Sequence, residues 1–350
     1  MNISQLLDLT IQRNASDLHL SVGFPPTIRV HGDLMPIPGE EPISKEQIDG
    51  LITSLLSSSQ MDIFTKNLEL DFSFEFEGKG RFRVNVYKQK GLPSVALRLI
   101  PYQIPPLESL GFPNVVAKLC NLKQGFILVT GPTGHGKSTT LASFIQKINT
   151  ERPEHVITIE DPIEHVYPPG KSIIEQREMY KDTKSWGSAL RSALREDPDV
   201  VLIGEMRDLE TIQSAMTIAE TGHLVFATLH TNSSAQTVDR IVDVFPEIQQ
   251  PQIRLQLAAT LEAILSLRLV PTIEPGRTLA CELLFANPAI RNIIREGKTH
   301  LIDNAIETSA EFGMQLLEKS LADLVKKGQV SQDVAVRYTL RPELLDKLIR

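Results

Sequence analysis

The sequence predicts an α/β protein in which a small α+β domain precedes a larger domain built on a parallel sheet. Three patterns support this fold class. Over residues 1–100, stretches of alternating apolar and polar residues are separated by turn signals and flanked by helical periodicity. Over residues 114–286, short apolar runs alternate with helical patterns, which is typical of buried parallel strands covered by helices. The prolines of residues 101–113 indicate a linker between these two regions.

The small domain is predicted to form an antiparallel sheet with helices on one face. Apolar residues recur at helical spacing from Ile3, and period-two alternation begins at Leu18. After the alternating run that ends at Phe76, a Gly-Lys-Gly turn reverses the chain into a strand beginning at Arg81, and a further strand follows over residues 94–99. Hairpins combined with helical segments define an α+β domain.

The larger domain is predicted from apolar runs bounded by turn residues, each a candidate buried strand. The runs cover residues 126–130, 156–159, 200–203, 224–228 and 281–285. Because helical patterns separate them, we expect a parallel sheet with both faces covered. Residues 287–350 keep helical periodicity and are predicted to form a helical C-terminal region.

Composition excludes several classes of protein. Hydrophobic residues make up 41% of the chain and charged residues 23%, which excludes disordered and fibrous classes. The 43 acidic and 36 basic residues give a net charge of -7, the wrong sign for general attraction to nucleic acid. Cys120 and Cys281 are too far apart to indicate a zinc motif or a disulfide framework. Without a recognisable secretory signal or membrane-spanning stretch, we expect a cytoplasmic protein.

A glycine-rich loop between a strand and a helix predicts a phosphate-binding site. The loop sequence GPTGHGKS matches the pattern G-x-x-x-x-G-K-[ST] in its required context. Backbone N–H groups of such a loop bind phosphate, Lys137 is expected to neutralise the β and γ phosphates, and Ser138 to ligate Mg2+. We therefore predict ATP and Mg2+ as ligands. The predicted nucleotide contacts are Gly131, Pro132, Thr133, Gly134, His135, Gly136, Lys137, Ser138 and Thr139.

Acidic residues follow two of the predicted strands. Glu205 follows the strand over 200–203, and Glu160 follows the strand over 156–159, with Glu164 shortly after it. Because parallel strands end at the same edge of a sheet, a site for magnesium and the attacking water is expected there. Glu205 is the candidate for orienting or activating that water. Solvated strand-end acids remain the alternative for Glu160 and Glu164.

Two histidines, His223 and His230, bracket the strand over 224–228. A histidine directed at the γ phosphate can sense the state of the nucleotide by hydrogen bonding, so His230 is a candidate catalytic residue. A structural role for either histidine stays open.

Four segments of the larger domain resemble the Walker A, Asp box, Walker B and His box motifs of the secretion ATPase superfamily, which includes type II secretion and type IV pilus motors. They are GPTGHGKSTT, ITIEDPIEHVY, REDPDVVLIGEMRD and GHLVFATLHTNSSAQTVDRIVDVFP. The segments ASDLHL, PPTIRVHGDL and GRFRVN are similar to the small first domain of that family. The resemblance covers nearly the whole chain. It implies a RecA-like P-loop ATPase domain preceded by a PAS-like domain.

Within this superfamily, the chain most resembles the ATPases that retract type IV pili and so drive twitching motility. Residues 289–296, AIRNIIRE, are similar to a motif typical of that group. The four-cysteine zinc insertion and additional amino-terminal domain of extension motors are not expected here. His135 stands where serine is frequent in relatives. A pilus-extension ATPase, an accessory retraction ATPase, a nucleic-acid translocase and a non-hydrolysing scaffold are the alternatives.

The resemblance also implies an assembly and partners. Family members form homohexamers with ATP near the subunit junctions, where arginines of the small domain reach the phosphates. Arg83 and Arg98, and less strongly Arg81, are the implied positions, with solvent-facing arginines as the alternative. The implied partner is an inner-membrane pilus platform protein (PilC-like), and the implied location is the inner face of the cytoplasmic membrane, with membrane contact only through that partner. No nucleic-acid partner is expected.

Overall fold

The computed structural model describes residues 2–30, 32–100 and 103–350 of the chain. Contacts among its residues divide the chain into two units. The first unit comprises Met1–Gln103 with Pro162–Val166, and the second comprises Ile104–Asp161 with Tyr167–Arg350.

The proline-rich segment is only partly irregular. Its first residues, Pro101 and Tyr102, lie outside the described part of the chain. Further along, Leu107–Leu110 and Asn114–Asn121 form short 3-10 helices. The first of these buries Leu107, and the second buries Cys120, in one apolar cluster of the second unit, so the proline-rich segment contributes to that core through Leu107.

The first unit contains an antiparallel six-stranded sheet. Its strands are β1 (Asp17–Ser21), β2 (Thr27–Val30), β3 (Asp33–Pro36), β4 (Glu69–Phe76), β5 (Gly80–Gln89) and β6 (Leu92–Ile100). They lie in the order β3-β2-β1-β6-β5-β4, and every neighbouring pair is antiparallel. The helices are α1 (Ile3–Gln12), α2 (Lys45–Leu55) and α3 (Ser58–Asn67). The predicted α+β fold is confirmed for this part of the chain.

Local sequence explains these elements. In β5, Phe82, Val84 and Val86 are fully buried at every second position, as a strand with one covered face requires. Helices α2 and α3 begin with capping boxes at Ser44 and Ser57, in which a glutamine three residues later bonds back to the cap.

The second unit contains a seven-stranded sheet. Its strands are β7 (Gly125–Thr130), β8 (His155–Glu160), β9 (Ile173–Glu178), β10 (Val200–Ile203), β11 (Leu224–Leu229), β12 (Leu261–Pro271) and β13 (Arg277–Phe285). They lie in the order β13-β12-β7-β11-β10-β8-β9. Its helices are α4 (Lys137–Glu151), α5 (Trp186–Ala193), α6 (Leu209–Glu220), α7 (Ser234–Asp243), α8 (Gln250–Thr260), α9 (Pro288–Glu296), α10 (Ile302–Thr308), α11 (Leu317–Lys326), α12 (Gln332–Tyr338) and α13 (Pro342–Ile349).

The sheet of the second unit is mixed, which corrects the prediction of a purely parallel sheet. β13, predicted over 281–285 as one of the parallel strands, pairs antiparallel with β12. The two strands are joined by a short turn in which the N–H of Thr272 bonds to the carbonyl of Gly276. A connection of this length permits only a hairpin, because parallel neighbours need a crossover of about a dozen residues or more.

Apolar clusters cover both faces of this sheet. Along β7, Phe126 and Leu128 belong to one cluster, whereas Ile127 and Val129 belong to the other. Helix α4 packs on the second cluster, and α5, α6 and α7 on the first. Burial on both faces explains why β7, β10 and β11 are continuous apolar runs. Among the described residues, no helix combines the length and apolar composition needed to cross a membrane.

Candidate nucleotide-binding and catalytic site

The glycine-rich loop joins β7 to α4, and its glycines are required by the backbone conformation. Gly131, Gly134 and Gly136 have φ angles of 142°, 79° and 89°, which glycine adopts without strain. At Gly131 space also excludes a side chain, because a Cβ atom would lie 2.6 Å from the carbonyl oxygen of Leu267 in β12. The loop therefore lies directly against β12.

The amine of Lys137 lies within this loop. Its Nζ atom donates to the carbonyl oxygens of Gly131 and Pro132, at 2.9 and 3.1 Å, and the residue is only 8% exposed. The cation adds to the positive amino-terminal end of α4, a helix of 15 residues. Together they form an electropositive site suited to phosphate groups.

Hydroxyl groups follow in the first turn of α4. Ser138 is exposed and Thr139 is half-buried, and in the loop itself Thr133 is exposed and Pro132 half-buried. A serine hydroxyl is a hard oxygen donor, and Mg2+ takes its other ligands from phosphate oxygens and water. The residues present therefore fit Mg2+ that arrives with a nucleotide. No group of three or more His, Cys, Asp or Glu residues in the described chain forms a metal cage.

His135 anchors the loop to the neighbouring strand. Its Nδ1 atom accepts a hydrogen bond from the backbone N–H of Leu269 in β12, at 3.0 Å. Burial lowers the pKa of His135, and the positive charges of Arg268, Lys137 and Arg277 lower it further. The ring is therefore neutral at neutral pH, which leaves Nδ1 free of a proton and able to accept.

Glu205 and His230 lie together where β10 and β11 end. The strands are parallel neighbours, with Ile203 opposite Ala227, and this register brings His230 Nε2 to 3.2 Å from Glu205 Oε1. Because a carboxylate only accepts hydrogen bonds, Nε2 of His230 carries the hydrogen. The sequence predicted each residue separately, and the structure shows that they form a pair.

The second oxygen of Glu205 is also engaged. Arg207 Nη2 lies 2.8 Å from Glu205 Oε2. Burial raises the pKa of Glu205, but the hydrogen bond from Arg207 and the charges of His230 and Arg207 outweigh burial, so the pKa lies below its ordinary value. Glu205 is therefore ionised at neutral pH, so both of its oxygens can accept hydrogen bonds and neither donates.

Glu160 lies at the same edge of the sheet. It ends β8, which pairs in parallel with β10, and the N–H of Gly204 bonds to the carbonyl of Ile159 at 2.8 Å. Glu160 Oε1 accepts hydrogen bonds from Thr158 Oγ1 at 2.7 Å and Gln176 Nε2 at 3.1 Å. The structure therefore places the two predicted acids, Glu160 and Glu205, on neighbouring strand ends.

Comparison with known proteins identifies the family. The sequence profile described as "Type II/IV secretion system protein" matches residues 2–278. The chain belongs to this family. A type IV pilus retractation ATPase, PilT, from Pseudomonas aeruginosa is 46% identical over 343 residues, covering 98% of this chain and 99% of the relative. A twitching motility protein from Neisseria gonorrhoeae is 48% identical, covering 91% of this chain and 85% of the relative.

A solved structure agrees over the same length. The crystal structure described as the pilus retraction motor PilT with bound ADP superimposes with a TM-score of 0.93, at 45% identity and 99% coverage of both chains. The α/β fold class predicted from the sequence is thereby confirmed for this type II/IV secretion system protein.

The predicted arginines of this family member lie in the first unit, whereas the glycine-rich loop lies in the second. Arg83 and Arg98 are directly opposite each other on β5 and β6, their side chains are 44% and 70% exposed, and Arg83 Nε lies 3.9 Å from Asp71 Oδ1. Arg98 Nε donates to Asp17 at 2.9 Å, and Arg81 is buried with Nη2 bonded to Ser73. Like charges placed opposite each other are unfavourable unless an anion or an acid offsets them. Asp17 supplies part of that offset for Arg98.

Two other predicted residues have separate surroundings. Glu164 lies within Pro162–Val166, which belongs to the first unit. His223 lies at the opposite end of β11 from His230, and its Nδ1 atom contacts the carbonyl of Ile218 and the hydroxyl of Thr221, each at 3.0 Å. These are contacts with the last turn of α6, so His223 has a local structural role.

Buried polar residues hold the segment that carries His230, and sequence reasoning missed them. Arg268 Nη2 donates to Asn232 Oδ1 at 2.7 Å, and the fully buried Glu282 accepts from the N–H of Ser234 at 2.6 Å. Both contacts fix the chain between His230 and α7 against β12 and β13. The only sequence signal for these contacts was the presence of Arg268 and Glu282 within otherwise mainly apolar strands.

Helix α9, which contains the AIRNIIRE segment, packs through one face, on which residues four apart are buried. Ile290 and Ile294 are fully buried, and Arg291 donates to the carbonyls of Ala258 and Ala259 and to Glu262. Arg291 thus satisfies carbonyl groups at the end of α8, where a helix leaves them unpaired.

Proposed function

We propose that this chain is an ATP-hydrolysing motor that powers the retraction, or disassembly, of type IV pili and hence twitching motility. The observation that carries the proposal is the near full-length similarity to a type IV pilus retraction ATPase and to a retraction motor with bound ADP. The loop around Lys137 and the acidic edge at Glu205 supply the chemistry that such a motor needs.

Binding begins at the glycine-rich loop. The triphosphate lies against the loop N–H groups and the amino-terminal end of α4. The Lys137 amine then moves from the loop carbonyls to the β and γ phosphates. Ser138 would hold Mg2+, which would offset the charge of the phosphates. Pro132, Thr133, His135 and Thr139 complete or support this loop.

Hydrolysis follows at the strand ends. The oxygen of a water attacks the γ phosphorus while the bond to the β–γ bridging oxygen breaks and one proton of the water is released to solvent, so ADP and inorganic phosphate are the products. Ionised Glu205 accepts a hydrogen bond from that water and orients it. His230 steadies the carboxylate through Nε2, and Glu160 supports the same edge from β8.

The motor assembles from six copies in this proposal. The exposed pair Arg83 and Arg98 reaches the phosphates bound by the neighbouring subunit and stabilises the charge that develops on them. The domain division is residues 1–100, a linker over 101–113, an ATPase core over 114–286 and a helical region over 287–350. ATP binding, hydrolysis and ADP release then change the arrangement of the domains about the linker.

The partner in this proposal is an inner-membrane pilus platform protein (PilC-like). The motor is cytoplasmic and lies at the inner face of the membrane through that partner. Similarity to pilus proteins supports this assignment, and the net charge of -7 argues against a nucleic-acid track.

The cellular test is deletion of the gene in its own strain. If the chain is a retraction motor, the deletion strain should carry excess surface pili and lose twitching. The natural gene should return both to normal, whereas the Glu205→Gln gene should not. Bald cells would instead indicate an extension motor. Normal twitching would indicate an accessory ATPase, and either result would overturn the proposal.

A further inference from the structure

Arg207 contacts the candidate catalytic carboxylate, yet none of the roles assigned above accounts for it. It lies between β10 and α6, two residues after Glu205, and its side chain is 69% exposed. Its Nη2 atom is 2.8 Å from Glu205 Oε2, within the range of a charge-assisted hydrogen bond.

Each carboxylate oxygen of Glu205 has its own hydrogen-bond donor. His230 Nε2 approaches Oε1 and Arg207 Nη2 approaches Oε2, so each carboxylate oxygen has one fixed donor. The terminal torsion of a glutamate is broad, and a single donor leaves the carboxylate free to rotate. Two donors on different oxygens fix its plane. Each oxygen keeps a further lone pair that can accept a hydrogen from water.

The backbone around Arg207 is held on both sides, which keeps the residue next to Glu205. The preceding Met206 is buried, and its N–H bonds to the carbonyl of Thr228 in β11 at 3.1 Å. The following Asp208 caps α6 by accepting from the N–H of Thr211 at 2.8 Å. The segment between these anchors is short, so the backbone at Arg207 cannot move far from the strand end that carries Glu205 without breaking one of them.

The charge of Arg207 also suits this edge of the sheet. The hydrogen bond to Glu205 raises the pKa of Arg207, and the carboxylate of Asp161 and the phenol of Tyr180 contribute in the same direction. The guanidinium therefore stays charged and is suited to holding the Glu205 carboxylate. A planar fork of donors fits this task better than the point charge of a lysine.

We propose that Arg207 is a positioning residue for ATP hydrolysis, which fixes the plane of the Glu205 carboxylate so that it orients the attacking water. This inference rests on the proposed function. It predicts an effect on the chemical step and none on nucleotide affinity, because the contact of Arg207 is with Glu205 and the phosphates bind at the glycine-rich loop.

The test compares variants of the purified full-length protein in a phosphate-release assay. Arg207→Ala is expected to lower kcat about tenfold, the effect of losing one charge-assisted hydrogen bond, with KM for ATP unchanged. Arg207→Lys should recover part of this loss, since it retains the charge without the fork. Because the site is exposed, free guanidinium ion, added over a range of concentrations below those that denature the protein, should also restore part of the kcat of Arg207→Ala.

A matched control lies in the same unit. Arg191 on α5 is 65% exposed and pairs with Glu210 on α6, away from Glu205. Arg191→Ala should keep the natural kcat and show no response to guanidinium. Glu205→Gln should be inactive with and without guanidinium.

Two results would overturn the inference: an unchanged kcat in Arg207→Ala, or a loss of kcat that neither lysine nor guanidinium restores. Neither of these two results affects the proposed function, provided that the natural protein hydrolyses ATP and Glu205→Gln is inactive. If the natural protein releases no phosphate from ATP, the proposed function itself fails. The three cases are therefore distinguishable in one set of assays.

Discussion

His135 shows how one side chain links the nucleotide loop to the rest of the sheet. Its neutral ring accepts the N–H of Leu269, and its surroundings contain the cations Arg268, Lys137 and Arg277 together with the ring of Tyr338 at 6.4 Å between centroids. A protonated ring could not accept this bond and would add a fourth positive charge to the cluster. The loop anchor therefore depends on pH.

The sign of this dependence follows from the lowered pKa of His135. Between the ordinary value of 6.5 and the lower folded value, the unfolded chain binds the proton and the folded chain does not. Stability from this group is therefore present above pH 6.5 and lost as the pH falls through the folded pKa. We expect thermal unfolding to show a steeper fall in Tm towards acid pH in the natural protein than in His135→Gln.

Glutamine is the matched replacement because its carbonyl can accept from Leu269 without titrating. Equal slopes of Tm against pH in the two proteins would contradict a titrating role for this anchor. Other groups titrate in both proteins, so only the difference between them reports on His135.

At this same scale, the sequence predicted Glu205, Glu160 and His230 because motif position alone indicates them. It did not predict that Arg207 and His230 share the two oxygens of Glu205. That arrangement depends on the register of β10 against β11, which pairs Ile203 with Ala227. Register is set by packing across the whole sheet and is not encoded within either segment.

At the scale of elements, the start of α7 depends on a buried acid in β13. Glu282 is inaccessible to solvent, accepts from the N–H of Ser234 at 2.6 Å and lies 3.8 Å from the guanidinium of Arg341. Burial raises the pKa of Glu282, with the Ser234 hydrogen bonds acting against it. The contact ties the His230 segment to the C-terminal helices through Arg341, which also pairs with Glu318 and Asp303.

We expect Glu282→Ala to lower the free energy of unfolding by about 2–4 kcal/mol, because it leaves a buried N–H unpaired and opens a cavity. Glu282→Gln should cost less, about 1 kcal/mol or under, since its amide oxygen still accepts from Ser234. Denaturant unfolding of both variants measures the difference. A glutamine variant as unstable as the alanine variant would contradict the capping role and would indicate that the charge is what matters.

Element prediction was least successful where strands carry charge. β12 contains Glu262 and Arg268, and β9 is an edge strand of largely polar residues, so neither forms a clean apolar run. The charges of β12 are satisfied only in the fold, by Arg291 from α9 and by Asn232. Periodicity cannot reveal such partners, because they come from distant parts of the chain.

At the scale of the whole molecule, the account requires that arginines of one copy act on the nucleotide of another. We expect Arg83→Ala to lower ATP turnover by about 10³-fold or more, as for arginines inserted at other phosphoryl-transfer sites, with nucleotide binding retained. The control is Lys88→Ala, which removes an exposed cation from the same strand, β5. This variant should keep the natural turnover.

Mixing two inactive variants tests the contribution between copies directly. Arg83→Ala retains Glu205, and Glu205→Gln retains Arg83, so a mixed assembly contains some complete sites. Turnover should therefore reappear on mixing if Arg83 acts on a neighbouring copy. An inactive mixture, in assemblies shown to contain both variants, would contradict that role.

The central claim is that this chain splits ATP at the loop around Lys137 with water oriented by Glu205. The most direct measurement is phosphate release by the purified full-length protein with Mg2+ and ATP, beside binding of a fluorescent ATP analogue. The account predicts turnover by the natural protein, a loss of about a thousandfold in Glu205→Gln, and similar nucleotide affinity in both. Equal turnover in the two proteins, or none in the natural protein at any ATP concentration, would contradict it.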